Sequence, residues 1–421
     1  MIFEQNEHFE HSSCKCLKLK MPAAALYYRD LKKIFSYLFV LAQLLYTQFK
    51  QNNNRKGKSM SLTLQNVSRV VDGETWISDV TMTLEPGSFN VLLGRTLAGK
   101  TSLMRIMAGL DRPSSGKILM NDVDVTGVAV QKRNISMVYQ QFINYPTMSV
   151  FENIASPLRL ARHDKTEIDR RVRETAELLK IENLLDRLPL ELSGGQQQRV
   201  SMARALVKDA DVVLFDEPLV NLDYKLREAL RSELKDLFQA RNCIAVYATT
   251  EAQEALALGG ETAVLHEGRL LQKGPTPHVY HRPDDIETAE IFSEPPINIV
   301  PGRISDNQVT FDEQVHFQLN ADLASLESGS YQFGVRPSHI GLVPHADDDL
   351  EVAVTVDLAE ISGSETFLHV HSESFELVLH LQGIYQYRPD EQIKVYFPTH
   401  KLYAFASDGS TLLVPGREEG F

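Results

Sequence analysis

Residues 91–110 read "VLLGRTLAGKTSLMRIMAGL", and this stretch decides the fold. It opens on small and branched apolar residues, passes through Gly94, Gly99, Lys100 and Thr101 in the spacing G-x-x-x-x-G-K-[ST], and continues with Leu103, Ile106, Met107 and Leu110 at helical spacing. A strand, a glycine-bearing loop and a helix in that order present backbone N–H groups and a helix N-terminus to a polyphosphate. Residues 94–102 (Gly94, Arg95, Thr96, Leu97, Ala98, Gly99, Lys100, Thr101, Ser102) are therefore the expected nucleotide-binding loop. Lys100 would reach the β- and γ-phosphates, and the Thr101 hydroxyl would bind Mg²⁺. Leu97 is out of keeping, because glycine more easily brings backbone amides close to phosphate.

Two further motifs extend the loop into a site. In "DVVLFDEP" (211–218) Asp216 ends an apolar run and Glu217 follows, so one carboxylate can serve the Mg²⁺ shell while the other polarises an attacking water. In "LPLELSGGQQQRVSMARALV" (188–207) Ser193 and Gln196 form a capping box, and Gly194 and Gly195 leave the helix start open to an anion.

Around these motifs, residues 60–290 alternate short apolar runs with helical segments, which predicts an α/β P-loop NTPase domain built on a mainly parallel sheet. Its strands are expected at 89–93, 135–139, 212–215, 244–248 and 262–265, with a charged helical insertion within about 140–205. From 291 to 421 short alternating runs such as "EVAVTVDL" and "FELVLHL" predict an all-β, OB-like domain. Residues 1–59 read as a mis-assigned start or disordered extension, since Met60 opens a natural first strand. The alternative is a surface anchor at "IFSYLFVLAQLLYTQF" (34–49).

With a length of 421 residues the chain exceeds one ordinary core, and a net charge of -13 argues against a nucleic-acid partner. Three cysteines, Cys14, Cys16 and Cys243, are too few and too scattered for a disulfide framework. No run of 18 apolar residues is available to cross a bilayer.

Taken together, the phosphate loop, "LSGGQ" and "LFDEP" make residues 60–290 resemble the nucleotide-binding subunit of an ABC transporter. "FGVRPSHIGL" and "GSETFLHVH" resemble the regulatory barrel appended to the ATPases of sugar and polyol importers. "GRTLAGKTSLMR", "YQQFINYP" and "YATTEAQEA" are most similar to one of the two paired ATPases of bacterial glycerol importers.

The resemblance implies ATP and Mg²⁺ as cofactors and Gln140 as a further Mg²⁺-contacting residue. It makes Leu192, Ser193, Gly194, Gly195 and Gln196 the signature that acts in trans, and Asp223 the loop position that crosses to the opposite site. It also implies a second ATPase subunit, two membrane permeases, an indirect solute-binding protein in the periplasm, and a peripheral place on the cytoplasmic face of the inner membrane. Tyr139, Phe142, Tyr145, Pro146 and Phe151 flank the glutamine loop and either line the permease groove or belong to the core.

Two departures from the family pattern matter. Thr250 stands where most relatives carry a histidine that contacts the γ-phosphate, so Thr250 is the expected catalytic-position residue alongside Glu217. A hydroxyl cannot relay a proton near neutral pH as imidazole can. The aromatic expected on adenine is replaced by Val71, unless Trp76 substitutes. These departures, with Leu97, predict a site that binds ATP and hydrolyses it slowly while the intact signature completes a partner's site. Competing expectations are a homodimeric importer ATPase, a soluble ABC ATPase acting on nucleic acid, and a regulatory module in which ATP is structural.

Overall fold

The computed structural model describes residues 60–417 apart from 88, 142, 221, 242, 347 and 348, so the expectations for residues 1–59 and for Phe142 lie outside the described residues. The chain enters an antiparallel sheet of β1 (Leu62–Val71), β2 (Glu74–Leu84), β4 (Ser115–Met120) and β5 (Val123–Asp124), ordered β2-β1-β4-β5. Asp72 and Gly73, at φ 51° and 87°, close the β1–β2 hairpin between paired Val71 and Glu74. Such a two-residue Asp-Gly connection permits only antiparallel pairing. The strand opened by Met60 thus lies in a separate layer, outside the parallel sheet.

The central sheet takes β3 (Phe89–Leu93), β6 (Ile135–Val138), β7 (Val212–Asp216), β8 (Ile244–Thr249), β9 (Glu261–His266) and β10 (Arg269–Pro275), in the order β10-β9-β3-β8-β7-β6. Every pairing is parallel except β10 with β9. All residues of β3, β7 and β8 are buried, as the uninterrupted apolar runs require of strands covered on both faces.

One face meets the antiparallel sheet and helix α1 (Lys100–Ala108) through Leu62, Ile77, Leu103, Met107, Leu214 and Val246. The other is covered by α2 (Val150–Leu160), α3 (Lys165–Leu178), α4 (Gly194–Leu206) and α5 (Tyr224–Ala240), with Phe89, Phe215, Phe238 and Tyr247 meeting edge-on or tilted. The expected helical insertion is α2 and α3, two 3₁₀ turns and α4.

Short helices α6 (Ala252–Leu258), α7 (Thr276–His281) and α8 (Ile286–Ile291) lead to an all-β region. There β11 (Asn298–Ser305), β12 (Gln308–Thr310), β13 (His316–Gln318), β14 (Gly329–Val335), β19 (Tyr403–Phe405) and β20 (Leu412–Val414) form a six-stranded sheet. A four-stranded sheet holds β15 (Leu350–Ser362), β16 (Glu365–His371), β17 (Glu376–Gln382) and β18 (Gln392–Phe397). Val300 and Val335 of the first share a core with Val352, Leu368 and Phe397 of the second.

Arg336 joins this region to the helices. Its buried guanidinium lies 3.8 Å from the centre of the Tyr280 ring, donates to Tyr280 O at 2.6 Å and reaches Phe292 O at 3.5 Å. Those carbonyls end α7 and α8, where the backbone's partial negative charge favours a cation.

Candidate nucleotide site

The phosphate loop forms because β3 ends where glycine alone fits. A Cβ on Gly94 would stand 2.4 Å from Leu265 O. Gly99 adopts φ 97° at the N-cap of α1, and a Cβ there would meet Ile77 Cδ1 at 2.9 Å. Leu97 takes a left-handed φ of 69° that costs a branched residue energy, and its side chain is 94 % exposed. The oddity flagged in the sequence is accommodated by pointing the leucine into solvent.

The buried Lys100 Nζ donates to Gly94 O at 2.7 Å and Arg95 O at 3.1 Å and stands 3.6 Å from Glu217 Oε1. Burial pulls its ammonium below the usual lysine range, and the charges of Glu217 and Asp216 oppose the shift. Arg95 pairs with Glu290 on α8 at 3.1 Å. Thr96 is exposed, Ala98 buried and Ser102 half-buried.

Asp216 and Glu217 arrive at the end of β7, beside the loop. Thr101 Oγ1 lies 3.0 and 2.9 Å from the two Asp216 carboxylate oxygens. Burial raises the Asp216 carboxyl above its ordinary range, and the Thr101 hydrogen bond counters it. Glu217 takes a left-handed φ of 45°, its amide donates to Ala248 O at 3.1 Å, and its carboxylate accepts from Gln140 Nε2 at 2.9 Å. Gln140 thus meets Glu217 directly.

Among the described residues no three His, Cys, Asp or Glu side chains converge on a metal position. The donors at this point are oxygens, a hydroxyl and a carboxylate, which suit a hard cation that takes its remaining ligands from phosphates and water. These residues fit Mg²⁺.

At the end of β8 the two threonines divide. Thr249 is buried; its hydroxyl donates to Glu254 Oε2 at 2.6 Å and accepts from the Glu251 amide at 3.0 Å. Its carbonyl accepts from the Gly94 amide at 3.4 Å, so the strand end adjoins the phosphate loop. Thr250 is exposed, and its side chain makes no hydrogen bond among the described residues.

The signature residues are placed but not joined to this cluster. Ser193 caps α4: its amide donates to Gln196 Oε1 at 2.9 Å and its Oγ accepts from Gln196 N at 3.4 Å, the capping box the sequence predicted. Leu192 is buried. No hydrogen bond or ion pair among the described residues links residues 192–196 to the phosphate loop. Asp223 caps α5 by accepting from the Leu226 amide at 3.0 Å. Tyr145 is half exposed with Arg204 4.9 Å from its ring centre, and Phe151 packs on the core. Val71 sits at the hairpin turn, whereas Trp76 is 45 % exposed and its carbonyl would stand 3.3 Å from a Cβ on Gly99.

Sequence reasoning missed four residues. Gln198, in the run of glutamines after the signature, donates to Pro218 O behind Glu217. Fully buried Asn153 accepts from the Tyr145 amide at 2.8 Å and donates to Met148 O at 2.9 Å, holding the loop before α2. Glu254 is 4 % exposed, and Arg227 pairs with Glu251. A carboxylate inside the apolar pattern of α6 was the available signal for Glu254; the other three need tertiary contacts to be seen.

A family model described as ABC transporter matches residues 77–220. Over 361 residues the chain is 37% identical to the sn-glycerol-3-phosphate import ATP-binding protein UgpC of Escherichia coli O157:H7, covering 83% of this chain and 98% of that protein. The protein of the same name from Salmonella typhimurium (strain LT2) is 37% identical over 355 residues, and that of Escherichia coli K12 36% over 361, with the same coverage. With the phosphate loop, the paired acids and the capped signature helix on one scaffold, the chain belongs to the ABC transporter family, as an ATP-hydrolysing subunit of the import type.

Proposed function

We propose that this chain powers the import of a three-carbon polyol, glycerol or its 3-phosphate ester, as a peripheral subunit on the cytoplasmic face of a membrane. The observation that carries the nucleotide chemistry is the convergence of Lys100, Thr101, Gln140, Asp216 and Glu217 at the ends of β3 and β7. Similarity to glycerol-3-phosphate import proteins supports the phosphate ester, and the motif resemblance supports glycerol. Uptake of each labelled solute by cells with and without the gene separates them.

In this reading the amides of residues 94–102 and Lys100 hold the phosphates, and Lys100 exchanges its loop carbonyls for them. Thr101, Asp216 and Gln140 would hold Mg²⁺, which supplies positive charge where negative charge builds on the transferring phosphoryl group. Glu217 orients the attacking water and Trp76 offers the aromatic face for adenine. Residues 192–196 and the Asp223 loop meet a second ATPase subunit, and the exposed apolar side chains Ile143, Leu160 and Leu190 of the helical insertion face the permeases. Among the described residues no helix is long and apolar enough to cross a membrane. The domain boundaries at residues 60, 290 and 291, and an OB-like regulatory role for the region after 291, belong to the same proposal.

Thr250 makes this chain one member of an unequal pair: its own site turns over slowly, and its signature completes a faster one. Phosphate release by purified chain, alone and with a candidate second ATPase subunit, tests this. Full turnover by the chain alone would establish the homodimer instead.

A further inference from the structure

One side chain ties the loop after β7 to the loop after β8. Arg227 Nη1 lies 3.0 Å from each carboxylate oxygen of Glu251, while its Nη2 donates to Val220 O at 3.3 Å. Glu251 is held in turn: its amide donates to the Thr249 hydroxyl, which donates to buried Glu254. Arg227 also lies one helical turn beyond Asp223, whose carbonyl accepts its amide at 2.9 Å. Thr250 is therefore flanked by Thr249, anchored to Glu254, and by Glu251, anchored through Arg227 to Val220 and the first turn after Asp223.

We propose that Arg227 is a positioning residue for ATP hydrolysis. Through Glu251 it makes the Thr250 strand end and the Val220–Asp223 loop move as one body, so that nucleotide arriving beside β8 is felt at the loop that meets the second subunit. This rests on the reading of those two loops given under Proposed function. The geometry calls for arginine: a guanidinium reaches a carboxylate and a carbonyl at once, whereas an ammonium offers one compact charge. A plain surface ion pair, with side chains 20 and 37 % exposed, would contribute little stability and couple nothing.

Hydrogen exchange of the full-length chain, with and without ATP and Mg²⁺, reads this coupling, with ATP affinity measured in parallel. In wild type, ATP slows exchange both at Glu251–Ala252 and at Leu222–Leu226. In Arg227→Gln the first protection stays and the second falls by about fivefold or more, with affinity within about twofold of wild type. Arg227→Lys recovers part of it. Glu251→Gln behaves as Arg227→Gln, and the double variant is no worse than either. Protection at Leu222–Leu226 that survives Arg227→Gln overturns the proposal, as does a double variant showing the two losses multiplied. A wild-type chain that fails to bind ATP shows itself in the affinity measurement and overturns the nucleotide-site reading along with this one.

Discussion

The ends of β7 and β8 lie side by side in the same sheet, with Asp216 paired to Ala248, yet they deliver opposite things. Strand β7 ends in Asp216 and leads into Glu217, two carboxylates engaged by Thr101, Gln140 and the buried Lys100 in a mutually restrained set. Strand β8 ends in one threonine locked into the protein's own framework and leads to a second that is exposed and makes no side-chain hydrogen bond among the described residues. The contrast separates assembling a site from driving it. Lys100, Thr101, Asp216 and Gln140 gather around Glu217, and the neighbouring position 250 holds an uncharged hydroxyl.

The largest effects belong to the residues at the end of β7. Glu217→Gln keeps the Gln140 contact within reach but removes the base, and turnover should fall by about 10²–10⁴-fold with ATP affinity retained. A loss under tenfold would mean that Glu217 does not activate water. Lys100→Ala removes charge-assisted contacts of about 1.5–3 kcal/mol, so ATP binding by calorimetry should weaken by roughly 10- to 150-fold. Unchanged affinity would move the phosphates elsewhere.

On the β8 side the effects turn from chemistry to stability. Thr249→Val leaves Glu254 with only the longer Tyr247 hydroxyl contact at 3.3 Å and the Glu251 amide without its acceptor, and should cost about 1–3 kcal/mol in denaturant unfolding. A neutral result would deny Thr249 its structural role.

The smallest effect is in pH. Burial pushes the Glu254 carboxyl above the ordinary glutamate range, against the opposing Thr249 hydrogen bond. The folded state then holds a proton that the unfolded state releases, so this group's contribution falls as pH rises from the ordinary carboxylate range through the raised value, and returns on acidification. Glu254→Gln keeps the acceptor without the charge and should flatten that part of the Tm–pH curve. A slope identical to wild type would assign the effect to Asp216, which is raised in the same sense.

Much of this was legible in the residues. Fully buried parallel strands show as unbroken apolar runs, which is why 89–93, 135–138, 212–216, 244–249 and 261–266 fall where expected. The Ser193 capping box is a local pattern and formed as read. The antiparallel layer of β1, β2, β4 and β5 was not foreseen, because its half-exposed strands carry a weaker alternation and their pairing is set by contacts distant in sequence. The Arg227–Glu251 link and the Gln198–Pro218 contact were illegible for the same reason. Asp223 also caps α5, a local role that an Asp three residues before Leu226 at a helix start makes readable.

In the proposed reading this site binds ATP and lacks its accelerating group at position 250. The most direct measurement is steady-state phosphate release by the full-length chain alone, wild type against Thr250→His, under saturating ATP and Mg²⁺. Slow turnover by wild type and a rise of about tenfold or more in Thr250→His, with KM little changed, is the predicted result. Fast turnover by wild type that Thr250→His leaves unaltered would contradict it.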